Sequence, residues 1–333
     1  MRKERRLRPE CGTGIDRPHE GAAAKKHMKE YVLETNGLTK RYGGAEALSR
    51  ADIKVQKGAI YGLVGNNGAG KTTLMRLVTG QALPSEGELK LFGASGPKEL
   101  NRARKRTSAV VETPSFYPYL SGRENLEYYR IQRGIAGRQA VDEVLEIVHL
   151  QDTGRKKFKN YSLGMKQRLG LALAVMNHPD FLILDEPING LDPMGIVMVR
   201  NLLIKLNKER GITILISSHI LSELSNLATC FGFIHKGRVV EQITAEELAS
   251  KCKDYIEITV EDAPKASQVL EGKLHCSTFE VLPHNTIRIY HYAGTPSAVS
   301  KCLVENGAGV ESIREVKANL EDYFVKLIGT VEP

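Results

Sequence analysis

Eight residues, Gly65-Asn66-Asn67-Gly68-Ala69-Gly70-Lys71-Thr72, follow the pattern G-x-x-x-x-G-K-[ST]. Glycines let such a loop take positive φ angles and bring its backbone close to an anion. Successive N–H groups then form a nest, and a helix opening near Lys71 adds the positive end of its dipole. The Lys71 ammonium supplies a point charge for the β- and γ-phosphates of a nucleotide, and the Thr72 hydroxyl a hard oxygen for Mg²⁺. A second candidate set lies in "FLILDEP", residues 181–187. Asp185 closes an apolar run, where a carboxylate reaches Mg²⁺ directly or through water. Glu186 follows, placed to orient or deprotonate an attacking water. A third set lies in "YSLGMKQRLGLALAVM", residues 161–176. There a polar and glycine turn opens an apolar helix, which aims unpaired N–H groups at an anion.

Such groups need rigid elements behind them. "AIYGLV" before the glycine loop and the apolar helix pattern after it read as strand, loop, helix. "FLILD" and "ITILIS" (residues 212–217) are short apolar runs, as buried parallel strands are. Residues 28–60 read as strands with turns, "YVLETNGL" and then "ALSRADIKVQKG", and "PSEGELKLFG" resembles a hairpin strand. Residues 122–150 are polar and helical, with "VDEVLEIVHL" amphipathic at i, i+3, i+4 spacing. "FGFIHKGRVVEQIT" reads as a closing hairpin that turns at Lys236–Gly237. Composition shifts near residue 245, where "TAEELASK" reads as a linker helix. Beyond it the pattern is β ("DYIEITVE"), α ("APKASQVLEGKL"), hairpin ("TFEVLPHNTIRIYHY"), α ("TPSAVSKCLVENG"), β ("VESIREVK") and a last helix, "NLEDYFVKLIG". That order predicts a small α/β sandwich of ferredoxin-like type.

The bulk numbers bound the function. With 333 residues the chain has room for one large and one small domain. Hydrophobic residues at 41% and charged residues at 26% exclude wholesale disorder. No apolar run reaches the roughly 18–20 residues that span a bilayer, so any membrane role is expected to be peripheral. The net charge is +8, and residues 1–27 carry eight Lys/Arg against four acids, half of that excess. This basic leader, expected to be disordered, has no apolar stretch of a secretory signal. Three readings stay open for it: a basic tail, a tether for acidic lipid or nucleic acid, or translated sequence upstream of a start at Met28. Five scattered cysteines without a CxxC fit a reducing compartment and no structural metal site.

The glycine loop, "LDEP", "NGLDP" and "ISSH", in this order, resemble the ATP-binding subunit of ABC transporters over about residues 31–245. The resemblance implies an α/β fold: a P-loop NTPase core with an antiparallel β subdomain and a helical subdomain at about 113–178. These would form an ATP-binding domain at 28–245, followed by the accessory α/β domain at 246–333. It implies ATP and Mg²⁺ as ligands, ATP hydrolysis as the activity, and two subunits closing head to tail over two nucleotides. Tyr42, in "KRYGG", matches the aromatic residue that stacks on adenine. Gly65, Asn66, Asn67, Gly68, Ala69, Gly70, Lys71 and Thr72 match the phosphate loop, with Thr73 as an extra phosphate donor. Asp185 and Thr72 match the metal ligands and Glu186 the catalytic carboxylate. Ser162, Leu163, Gly164, Met165 and Lys166 occupy the signature, usually LSGGQ, whose helix points at the γ-phosphate held by the second subunit. Ser162 and Gly164 keep the hydroxyl and backbone donors, whereas Met165 and Lys166 depart from Gly and Gln. Asn189 to Asp192 match the D-loop, which touches the opposite subunit, and His219 matches the switch histidine that bonds the γ-phosphate. Glu112 stands where a glutamine is usual. An ionised Glu only accepts hydrogen bonds, so near Mg²⁺ it adds a hard ligand and near the γ-phosphate it repels.

Glu112 and the C-terminal extension resemble the bacitracin/lantibiotic-type export and self-protection subfamily. The expected function is therefore the ATP-hydrolysing subunit of an exporter of an antimicrobial peptide or another amphipathic substrate. Its expected partners are a separate transmembrane permease and a second ATP-binding subunit, identical or different. The expected location is cytoplasmic, peripheral at the inner face of the cell membrane. Two alternatives stand beside this. One is a soluble ATPase of the same type acting on nucleic acid or ribosomes through the basic leader. Such proteins usually carry paired ATPase domains or long coiled-coil insertions, which this chain lacks, so no specific nucleic-acid partner is expected. The other is a nucleotide-gated regulatory module, against which the intact Glu186 argues.

Overall fold

The computed structural model describes residues 30–111, 115–251, 254–276, 278–290, 295–316 and 320–329. In chain order the first elements are β1 (Tyr31–Tyr42), β2 (Ala45–Ala51), β3 (Lys54–Gln56), β4 (Ile60–Val64), α1 (Lys71–Thr79), β5 (Glu86–Leu91), α2 (Pro97–Arg104) and β6 (Thr107–Val110). Then come α3 (Gly122–Gln132), α4 (Gln139–Ile147), α5 (Leu163–Val175), β7 (Phe181–Asp185), α6 (Pro193–Arg210), β8 (Thr213–Ser218) and α7 (Leu221–Ser225). The chain continues with β9 (Cys230–His235), β10 (Arg238–Thr244), α8 (Ala245–Lys251), β11 (Tyr255–Val260), α9 (Ala263–Gly272), β12 (Phe279–Leu282) and β13 (Thr286–Tyr290). It ends with α10 (Pro296–Glu305), β14 (Val310–Val316) and α11 (Leu320–Gly329). Among the described residues no helix is long and apolar enough to cross a membrane.

A six-stranded sheet in the order β10-β9-β4-β8-β7-β6 forms the centre, parallel except for the β9–β10 hairpin. Its inner strands are apolar along most of their length, with polar residues at the ends of β7, β8 and β9, because both faces are covered. Ile60, Val64, Leu182, Leu184, Ile214 and Ile216 face one core, shared with α5 and α6. Tyr61, Leu63, Phe181, Ile183 and Leu215 face the other, with Leu74, Met75, Leu77 and Val78 of α1 and the apolar side of the β1 sheet. The β9–β10 turn has positive φ at Lys236 (46°) and Gly237 (78°), which matches the twist of the flanking strands.

The second sheet is antiparallel and built on β1, which pairs with β2, β3 and β5. The sequence reads residues 84–93 as part of a hairpin. The structure instead lays β5 on β1, about fifty residues earlier, with Leu33 opposite Leu91 and Thr35 opposite Leu89. A twelve-residue β1 is long enough to serve three partners, and that non-local choice leaves no local turn signal. A helical group, α3 to α5, packs around Phe116, Leu126, Val141, Val144, Leu145 and Leu169.

Residues 255–316 form a β-α-β-β-α-β unit with the antiparallel order β12-β13-β11-β14. This is the ferredoxin-like order. Ile256, Ile258, Val260, Ile287 and Ile289 point toward α9 and α10 and meet Leu270, Val299 and Leu303. On the opposite face Glu257 lies between Arg314 Nε at 3.0 Å and Arg288 Nε at 3.0 Å. The Arg314 guanidinium, with help from Arg288 and against the effect of burial, holds this carboxyl below the usual range.

The last helix, α11, does not pack in that sandwich. Phe324 is buried in the core of the central sheet, and Tyr323, Leu327 and Ile328 lean on the same cluster. The Phe324 ring stacks on Phe233 of β9 at 5.8 Å. Tyr323 donates to Glu241 Oε2 at 2.6 Å, and Glu321 Oε1 accepts from the Ser222 N–H at 3.0 Å, at the start of α7.

Two predictions follow from this packing. Phe324→Ala removes an aromatic ring from a packed core, so thermal or denaturant unfolding should show a loss of about 3 kcal/mol. A loss below about 1 kcal/mol would mean that α11 is only loosely seated. Glu257 has a depressed carboxyl in the fold, so its stabilisation is full above an unfolded value of roughly 4.3 and disappears as pH falls through the lower, folded one. Wild type should therefore exceed Glu257→Gln in stability at pH 7 and lose that advantage in acid. A pH-independent gap would contradict the pairing.

Candidate active site

Three strand ends supply the site. Register sets Val64 of β4 opposite Ser218 of β8, and Asp185 of β7 opposite Ser217 of β8. The carboxyl ends of β4, β7 and β8 are thus level, and the glycine loop, Asp185–Glu186 and His219 emerge there together. Such an edge is where open parallel sheets bind ligands.

The glycine loop leaves β4 at Gly65, and its tip, Asn66 to Gly68, is exposed while Ala69 is buried. Gly70 caps α1 with φ 106°, and a Cβ there would lie 2.7 Å from the Ala47 carbonyl oxygen. No acidic residue sits in the first turn of α1, so nothing there opposes an anion at the helix end. Thr73, in that turn, is partly exposed.

Lys71 is 5% exposed, and its ammonium donates to the Gly65 oxygen at 2.6 Å and the Asn66 oxygen at 3.2 Å. It also lies 3.2 Å from Glu186 Oε1, an ion pair without hydrogen-bond alignment. The other carboxylate oxygen of Glu186 is 2.6 Å from His219 Nδ1. With Glu186 ionised, Nδ1 is the donor, which leaves Nε2 for a second partner. Glu186 has φ 49°, a left-handed backbone costing about 1–3 kcal/mol in a non-glycine residue. Thr72 donates to Asp185 Oδ2 at 2.6 Å, and Ser217 donates to Asp185 Oδ1 at 2.6 Å. Ser217 Oγ also accepts from the Glu186 N–H at 3.0 Å. Thr72 and Asp185 are hard oxygen donors of the kind Mg²⁺ takes in small number beside phosphates and waters, so the residues fit that ion.

A second group of expected residues lies together on α5 and the loop after β7. Ser162 caps α5 by accepting from the Met165 N–H at 3.3 Å. Leu163 is half exposed, and a Cβ on Gly190 would meet its side chain at 3.0 Å. Gly164 lies against Leu191, and Gln167 donates to the Asn189 oxygen at 2.9 Å. Lys166, where glutamine is usual, holds its ammonium 5.5 Å over the Phe158 ring. Asp192 caps α6 by accepting from the Gly195 N–H at 3.2 Å. Tyr42 is 46% exposed at the end of β1, with the Lys40 ammonium 4.9 Å over its ring. Glu112, expected as a ligand of metal or phosphate, and the leader at residues 1–27 lie outside the described residues.

Comparison with known proteins fits this geometry. The protein-family model described as ABC transporter matches residues 48–189. A bacitracin transport ATP-binding protein of Enterococcus faecalis is 44% identical over 302 residues, covering 91% of this chain and 98% of the relative. The chain belongs to the ATP-binding subunits of ABC transporters. A lantibiotic transport ATP-binding protein of Streptococcus pyogenes is 38% identical over 209 residues, covering 63% of this chain and 89% of the relative. Among solved structures, an ABC transporter component from Clostridium perfringens aligns with TM-score 0.61 and 26% identity over 67% of this chain and 92% of that one. As a member of this family the chain binds and hydrolyses ATP.

Within this ABC subunit, Ser217 lies in the "ISSH" motif, but motif reading gave a role only to His219. The signal for a role of its own is a hydroxyl at the end of the apolar run "ITILIS", two residues before His219. Gly70→Ala should lower both thermal stability and affinity for ATP, because the new methyl meets the Ala47 carbonyl. Gly68→Ala, with φ 80° but open space around it, should be milder. Equal effects in calorimetric ATP titrations would show that close approach is not what Gly70 provides.

Proposed function

We propose that this subunit uses Mg²⁺ with ATP to power export of an antimicrobial peptide or similar amphipathic molecule through a separate membrane subunit. The cargo class follows the names of its relatives, a bacitracin and a lantibiotic transport protein. The observation that carries the chemical reading is the meeting of Lys71, Glu186 and His219 at 3.2 and 2.6 Å beside the Thr72–Asp185 pair. When bound, Mg²⁺ would be held by Thr72 and Asp185 and would neutralise phosphate charge.

The residues divide the remaining work. A phosphate in the glycine loop competes for the Lys71 ammonium, which then gives up Glu186 and the two loop carbonyls. The freed Glu186 oxygen faces the γ-phosphate and takes the proton of an attacking water. His219 holds the other oxygen of Glu186 and senses the γ-phosphate. Tyr42 exchanges the Lys40 ammonium for the adenine face. Ser162 and Gly164, at the open end of α5, complete the site of a second subunit. Gln167 and Asn189 tie that helix to the loop ending at Asp192, so the two cross-subunit contacts move as one piece. ATP is then the bridge, and its hydrolysis opens the pair.

Docking to the membrane subunit is assigned to the surface following residue 114. Tyr117, Tyr119, Tyr128 and Ile131 are exposed there by 45%, 72%, 42% and 64%. Phe116, Phe158 and Tyr129 form an aromatic base beneath them. Exposed aromatics on a stiff base are what a partner surface requires. Docked on that partner, the chain would work at the inner face of the membrane.

Glu186→Gln should bind ATP with near wild-type affinity and hydrolyse it at least about a hundredfold more slowly, since it loses a general base. Wild-type turnover in a phosphate-release assay would refute the role. Tyr119→Glu should leave ATP binding intact and remove the membrane subunit from material purified out of solubilised membranes. Unchanged co-purification would move the docking surface elsewhere.

A further inference from the structure

Ser217 is fully buried at the end of β8, where the surrounding strands are apolar. Its hydroxyl makes two bonds in opposite senses. It donates to Asp185 Oδ1 at 2.6 Å and accepts from the Glu186 N–H at 3.0 Å. The strand register explains why. The β7–β8 ladder ends with Asp185 opposite Ser217, so the next N–H, that of Glu186, is taken by a side chain. The backbone can therefore leave the strand and enter the left-handed conformation at Glu186, φ 49°.

We propose that Ser217 is a positioning residue that orients both acids of the site from behind. Through Oδ1 it fixes the rotation of the Asp185 carboxylate, so that Oδ2 stays turned to Thr72 at 2.6 Å. Through the Glu186 N–H it fixes the turn that sends the Glu186 side chain to Lys71 and His219. Neither bond is available to Ala, and a thiol makes both poorly. A threonine keeps the hydroxyl. The inference rests on the reading of Asp185 as metal ligand and Glu186 as base.

The test compares Ser217→Ala, Ser217→Cys and Ser217→Thr with Asp185→Ala in the full chain. ATP affinity is measured calorimetrically with Mg²⁺ and with a chelator, and the Mg²⁺ dependence of turnover is followed separately. Loss of a charge-assisted hydrogen bond corresponds to about a tenfold effect or more. In Ser217→Ala and Ser217→Cys, the gain in ATP affinity on adding Mg²⁺ should shrink about tenfold, and kcat should fall as well. Affinity in chelator should stay within about twofold of wild type, because the loop and Lys71 are untouched. Ser217→Thr should recover most of the Mg²⁺-dependent gain. Wild-type behaviour of Ser217→Cys, which fills the site and weakens both bonds, would overturn the proposal. Loss in Ser217→Thr as deep as in Ser217→Ala would also overturn it. Should Ser217→Ala fail to fold, the Cys and Thr variants carry the comparison. If Asp185→Ala keeps the full Mg²⁺-dependent gain, the metal reading itself fails. If Asp185→Ala loses the gain and Ser217→Cys does not, only the positioning role fails.

Discussion

One carboxylate held between two hydroxyls organises this site. Asp185 sits 2.6 Å from Thr72 Oγ1 on one side and 2.6 Å from Ser217 Oγ on the other. Thr72 belongs to the first helix after the glycine loop and Ser217 to a neighbouring strand. The acid therefore joins the glycine-loop half of the site to the half that carries Glu186 and His219. Its position is fixed by β7 and β8, which are buried on both faces and whose register is locked by apolar side chains on each. A slip of one residue would turn every one of those side chains to the other face. The precision of the chemistry is thus inherited from two dry cores rather than from the loops that display it.

The same logic extends to the ion pair of Lys71 with Glu186. A buried ammonium needs compensation, and here two loop carbonyls and one carboxylate provide it. A phosphate meets the same requirement with more charge, so exchange of partners at Lys71 is a natural way to couple binding to release of Glu186. At the other end of the switch region, Glu321 of α11 accepts from the N–H of Ser222, three residues beyond His219. Phe324 stacks on Phe233, which lies in register with Val64 at the end of β4. The C-terminal helix thus touches α7, just beyond the switch histidine, and β9, the neighbour of β4.

Much of this was legible in the order of residues. The glycine loop could be read because Gly70 occupies a conformation and a space that no other residue fits well. The strands β4, β7 and β8 could be read because burial on both faces leaves a nearly continuous apolar run. The β9–β10 turn was marked by Lys236–Gly237, and the ferredoxin-like order by its alternation of short strands and helices. What stayed hidden depends on non-local choices. Nothing near Glu86–Leu91 says that its partner is β1. The apolar side of "NLEDYFVKLIG" predicts burial but not that Phe233 is the ring it meets. The bonds of Ser217 depend on register across two strands thirty-two residues apart, and the left-handed turn at Glu186 follows from them.

The most direct test of the account is a structure of the subunit pair bound to Mg²⁺ and a non-hydrolysable ATP analogue. The account predicts that the Lys71 ammonium has left Glu186 for a phosphate oxygen. Thr72 and Asp185 should share the metal, and Ser162 and Gly164 of the opposite subunit should lie on the γ-phosphate. A structure in which Lys71 keeps Glu186 while nucleotide occupies the loop, or in which the α5 N-terminus meets no nucleotide, would contradict it.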